Sequence, residues 1–172
     1  MRGVKITYLM KTMRMVYETL LLTLICFRSS VMINTKIYKS VYNLAEKLMA
    51  AANEENREEF DSLFAELNAI CIDNENTSKD HPEQWETLAD FTEELESAVT
   101  GYEKAMEKAI AINSKDHMSS IAFSMATLQI ELGQTDAAIK HLQEAKISAN
   151  KIEDQELKAE IDDLLETLSG NP

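Results

Sequence analysis

Glycine and proline are scarce, at four and two in 172 residues. An all-β sandwich needs frequent turn formers, so this scarcity excludes it. The only two cysteines, Cys26 and Cys71, can build neither a disulfide framework nor a zinc site. No Gly-rich phosphate loop and no Ser–His–Asp cue is present. The cleanest apolar run, Leu20 to Phe27, is eight residues long. A spanning helix needs about 20, so no stable membrane insertion is expected. What the chain does hold is Ala, Leu, Glu, Lys and Met, all good helix formers, and 45% hydrophobic residues. That content excludes wholesale disorder and points to an all-α domain.

Charge divides the chain unevenly. The net charge is −13. Residues 1–40 carry seven Lys or Arg and one acid, Glu18, while residues 41–172 carry ten bases and twenty-nine acids. So acidic a body repels phosphate backbones, which argues against nucleic acid and for basic or neutral partners.

Residues 1–31 differ from the rest, with four of the nine Met and a basic start. Three readings stay open. They are an extension upstream of a natural start at Met32, a poor secretory signal or interfacial anchor, or an integral part of the fold. A secretory signal wants small residues at its cleavage site, and Phe27 and Arg28 stand there instead. The domain is therefore expected over 32–172, with 1–31 as an N-terminal extension.

From Lys36 onward apolar residues recur at helical spacing. Segment one runs to Ala52, with Val41, Leu44, Ala45 and Leu48 on its stripe. After the polar break Asn53–Asn56, segment two runs from Arg57 to Ile72. Asp73–Asp80 is rich in Asn, Asp and Ser and is expected as a loop. Asp80 with Glu83 suggests a capping box, with Pro82 in the first turn. Asp90 with Glu93 suggests a second box that splits segment three from segment four. The spacing 85, 88, 92, 95, 99, 102, 106, 109 also suits one unbroken helix. Segment five, His117 to Leu132, is apolar on two sides and stops at Gly133. Segments six and seven are expected over Asp136–Ala149 and Asp154–Ser169.

An internal repeat stands out. Ala98-Val99-x-x-Tyr102-x-x-Ala105 aligns without gaps on Ala138-Ile139-x-x-Leu142-x-x-Ala145 at a spacing of forty. Small residues let a neighbouring helix approach, and larger ones fill the gap beside them. With Ala126 before it and the turn Gly133-Gln-Thr-Asp between, this pattern resembles the tetratricopeptide repeat (TPR), a helix–turn–helix unit of 34 residues. The resemblance implies an α-solenoid of antiparallel helical hairpins with segment seven as a C-terminal capping helix. It also implies a concave face that binds peptides or helices and does no chemistry. In that register the inner face falls on Ser120, Phe123, Thr127, Ile130 and Glu131. The preceding unit adds positions near Glu83, Thr87, Asp90 and Phe91. The period of forty and the missing glycine turn between segments three and four depart from the family.

Candidate chemistry is thin beside this. The twelve residues Asp73–Gln84 invite an EF-hand reading. Calcium needs a sharp turn at the sixth position and a bidentate Glu at the twelfth, which here are Ser78 and Gln84. His81, His117 and His141 form no known zinc spacing and read as solvated or capping residues. Cys71 reads as a buried inert thiol, and no tuned acid–base pair is evident. The expectation is a cytoplasmic, non-enzymatic adaptor or helper chaperone without cofactor or metal. It would take a basic or amphipathic peptide in a groove of Phe91, Ser120, Phe123, Thr127, Ile130 and Glu131. Two alternatives stand beside it. Phe123 and Ile130 could pack against segment seven, or the chain could be a structural, self-associating subunit.

Overall fold

The structure is a computed structural model and describes residues 35–170. The expectations for residues 1–31 lie outside the described residues. Those described form seven helices and no strand: α1 Thr35–Asn53, α2 Arg57–Asn74, α3 Pro82–Asp90, α4 Leu95–Ala111, α5 Lys115–Glu131, α6 Thr135–Ala149 and α7 Gln155–Leu168. None is long and apolar enough to cross a membrane. The chain divides into two compact units between Ala69 and Ile70, inside α2.

In the first unit α1 buries Val41, Leu44, Ala45 and Leu48, the stripe its periodicity marks. It ends with Glu55 in the left-handed region, at φ 53°, and Asn56 N–H bonded back to the Ala51 carbonyl at 2.9 Å. Asn56 then opens α2. Its Oδ1 accepts from Glu59 N–H at 3.2 Å while its amide donates to the Glu59 carboxylate at 2.9 Å. The first of these bonds satisfies one of the N–H groups that the first turn leaves free.

In the second unit each helix from α3 to α7 packs on the next, and α3 also touches α5. The turns have a local cause. Asn113 (φ 55°) and Gly133 (φ 72°) both take the left-handed conformation just past a helix end. In each case the following N–H reaches back to the last turn, Ser114 to Ala109 at 3.0 Å and Gln134 to Gln129 at 2.8 Å. This is the Schellman closure, and it reverses the chain within three residues. Asn113 takes this conformation without being glycine, since Asn tolerates it better than most residues.

Two helix starts differ from expectation. His81, not Asp80, caps α3, its side chain accepting from Glu83 N–H. Asp80 is drawn away by Trp85 Nε1–H at 2.7 Å and Lys108 Nζ at 3.1 Å. Residues 91–94 do separate α3 from α4, so the unbroken helix is excluded. The new N-cap, however, is Glu94, which accepts from Glu96 N–H at 3.1 Å and Ser97 N–H at 2.6 Å. Asp90 instead ends α3 and takes the Tyr102 hydroxyl.

Small residues set the helix spacing. Ala98, Ala105, Ala138 and Ala145 are all at most 1% exposed. A methyl at Gly101 would lie 3.0 Å from the Ala89 Cβ, so α3 and α4 approach closely there. α5 is buried on both flanks because α4 and α6 cover it. Its Ala122, Phe123 and Ala126 join Ala138, Leu142 and Ala145 of α6 and Leu157 and Ile161 of α7 in one cluster. Ile130, Leu164, Leu165 and Leu168 pack against that cluster. Phe123 is thus part of the apolar cluster to which α5, α6 and α7 all contribute, and Ile130 packs against that cluster.

Removing the Phe123 ring leaves a cavity between three helices. Phe123→Ala is expected to lower unfolding free energy by about 3–5 kcal/mol. Denaturant unfolding followed by circular dichroism checks this, and a loss under about 1 kcal/mol would show an exposed ring.

Candidate functional site

Helix geometry gathers three acids of α3 on one face. Glu83, Glu86 and Asp90 are spaced by three and four residues, so they stack along one side. The first two turns of α5 set His117 and Ser120 opposite them. His117 Nδ1 lies 2.8 Å from Glu86 Oε2, and Ser120 Oγ donates to Glu86 Oε1 at 2.6 Å. His117 Nε2 faces Glu83 Oε2 at 3.7 Å. The capping His81 ring meets His117 edge-on, with centroids 5.3 Å apart. From α4 the Tyr102 hydroxyl donates to Asp90.

Burial and like charge set the proton affinities here. Burial pushes the Glu83 carboxyl up to about 7, with help from Glu86 and against the attraction of His117. Burial, then the charge of Glu86, holds Asp90 well above the carboxylate range despite the Tyr102 hydrogen bond. Burial alone would depress His117. The Glu86 hydrogen bond and the charges of Glu86, Glu83 and Asp116 outweigh it and raise the imidazole to about 9. Burial and the neighbouring His117 charge push His81 down to about 4.

A second network pins the loop that precedes α3. Asp80 accepts from Trp85 and Gln84 on one oxygen and from Asn76 N–H and Lys108 on the other. These bonds hold its carboxyl below the usual value although burial opposes them. Gln84, 1% exposed, also accepts from Asn74 Nδ2 and, through its carbonyl, from Cys71 Sγ–H. Lys104 Nζ sits 3.7 Å above the Trp85 ring. The residues of the EF-hand-like stretch thus bind one another. Burial raises the Cys71 thiol to about 12, which makes it a poor nucleophile at neutral pH.

The six residues read as a groove do not share one open surface. Phe91 and Phe123 are buried, at 5% and 3% exposure. Ile130 packs on the α5–α6–α7 cluster. Thr127 is half-buried and donates to the Phe123 carbonyl at 3.1 Å. Glu131 is exposed, and Ser120 belongs to the acid–histidine cluster. Glu83 and Asp90 were legible as inner-face positions. Glu86 and His117 were not, because they lie 31 residues apart on different helices. Nor is His117 a solvated residue: it is half-buried, and its two ring nitrogens face two carboxylates.

Three groups of a hydrolytic triad meet here in the wrong order. Ser120 donates to Glu86 rather than to His117, so the imidazole is not placed to take its proton as in that triad. A shallow, open dimple between α6 and α7, lined by Lys146, Ala149, Asn150, Lys158, Ile161 and Asp162, holds only about 10 Å³. Sites for small organic ligands run to roughly 300–1,000 Å³.

The shifts carry a pH dependence. Glu83 and His117 both bind protons more tightly folded than unfolded. Their contributions to stability are complete below pH 4.5 and 6.5 and are lost as pH rises through about 7 and 9. His81 has the opposite sign, its contribution being lost as pH falls from 6.5 through about 4. In metal-free buffer the melting temperature is expected to fall between pH 6.5 and 9. Imidazole NMR titration should place the His117 midpoint near 9 and that of His81 near 4. Midpoints near 6.5 for both would contradict the burial and pairing described. No protein-family model, no curated protein and no solved structure matches this chain.

Proposed function

We propose that this chain is a non-catalytic protein–protein interaction module, built of stacked helical hairpins in the TPR manner, that recruits a basic or amphipathic segment of a partner protein. The observation that supports this reading is the meeting of α3 with α5. The two are separated in sequence by all of α4, yet Glu86 of α3 bonds to His117 and Ser120 of α5. First helices of successive hairpins meet in this way in a stacked array, which buries its core between neighbouring units. Such arrays carry extended faces suited to chains rather than pockets suited to small molecules.

Charge defines the partner. Residues 70–170 contain twenty-two Asp or Glu against eight Lys and no Arg. Exposed acids such as Glu103, Glu107, Glu131 and Asp136 favour encounter with a cationic segment, and salt weakens that attraction. Phe123 and Phe91 serve the core in this reading, and recognition rests on the exposed acids with Glu131 among them.

The test uses the full chain as bait, with partners identified by mass spectrometry and re-tested as purified proteins. Glu131→Lys paired with Glu103→Lys should weaken capture by on the order of tenfold while leaving the melting temperature within a few degrees. Capture should also fall as salt rises. Unchanged capture, or capture indifferent to salt, would contradict the acidic docking face. Light scattering that shows mass growing with concentration would favour a self-associating structural subunit instead.

A further inference from the structure

The acid–histidine cluster sets three carboxyl groups of one helix face beside a single imidazole. Glu83 and Glu86 approach one imidazole, with Asp90 behind them on the same helix face. Glu86 is fully engaged by His117 and Ser120. Glu83 differs. Its side chain is 10% exposed. Its nearest cation is His117 Nε2, at 3.7 Å. A largely buried carboxylate is costly unless a cation stands beside it, and a metal ion can fill that role.

Glu83, Glu86 and His117 each offer one ligand atom, and all three atoms lie within 4.8 Å of one another. Donors around a tetrahedral zinc ion, at about 2.0–2.1 Å from it, stand roughly 3.4 Å apart, so side-chain rotations of well under a helix radius bring these three onto one ion. We propose that Glu83, Glu86 and His117 form a binding site for a divalent first-row transition-metal ion that joins α3 to α5. The imidazole sets the metal class. One nitrogen and two carboxylate donors suit zinc and its neighbours, whereas magnesium and calcium prefer oxygen alone. On binding, the ion would displace a proton from His117 to solvent and take its place between the imidazole and the two carboxylates. Ser120 then holds the Glu86 carboxylate in place, as outer-shell donors do at metal sites. The ion's role is structural, since it fastens two helices that the sequence separates by a third. This site does not depend on the partner-binding reading.

Zinc is the probe, added to the chelator-treated full chain. Competition against a chromophoric chelator should show one tight site. Zinc should raise the melting temperature, and magnesium at the same concentration should leave it unchanged. Glu83→Gln keeps the shape of the side chain and removes its charge, and should weaken binding by at least on the order of tenfold. His117→Gln should do the same, while His141→Gln, whose imidazole bonds to Gln129, should bind as the parent does. Zinc should also shift the imidazole nitrogen resonances of His117 and leave those of His141 in place, a readout that needs no variant to fold. The proposal is overturned if zinc gives no 1:1 complex. It is equally overturned if Glu83→Gln and His117→Gln bind zinc as the parent does, or if the His117 resonances stay still.

Discussion

Four alanine methyls, at 98, 105, 138 and 145, set how near the helices of the second unit approach one another. Each is withdrawn from water, and each sits where a larger side chain would hold the neighbouring helix away. The spaces beside them are filled by Tyr102 and Leu142, both at most 2% exposed. Interiors packed to crystal-like density tolerate neither a void nor an extra methylene at such contacts. Gly101 against Ala89 extends the same constraint to α3 and α4. The close approach of α3, α4 and α5 brings Asp90 to Tyr102 and Glu86 to His117. The polar cluster is thus a consequence of apolar packing.

That cluster is expensive, and its composition shows how the expense is contained. Two of its acids have specific donors: Tyr102 for Asp90, His117 and Ser120 for Glu86. Replacing such groups with well-packed apolar residues often leaves stability unchanged or raises it. A polar seam between α3 and α5 is therefore better understood as a register device or a binding site than as a source of stability. The direction of the shifts fits this, with Glu83 and Asp90 pushed towards the neutral acid and His117 kept as the cation.

Helix positions were legible because burial follows the 3.6-residue period. The stripe Val41, Leu44, Ala45, Leu48 and the repeat built on Ala98 and Ala138 needed no tertiary information. Gly133 as a terminator was legible for the same local reason. Helix starts were less so. The capping-box rule selects Asp80 and Asp90 by residue type, yet each is claimed by a partner from another helix, Lys108 and Tyr102. Glu94 and His81 then cap by default, and neither is a favoured cap residue. The second apolar side of α5 was visible, but its partner was not: sequence cannot choose between a groove and the α7 helix for Phe123 and Ile130. The Glu86–His117 pair has no local signature at all, since its partners meet only once α4 has been laid between them.

The most direct test of this account compares two alanine substitutions by denaturant unfolding. Ala138 is completely buried in the contact between α5 and α6, and Ala159 is exposed on α7. Ala138→Leu should lower stability by about 1–3 kcal/mol through overpacking. Ala159→Leu should stay within about 0.5 kcal/mol of the parent. If both substitutions are equally harmless, alanine contact does not set the helix spacing, and the architecture derived from it fails.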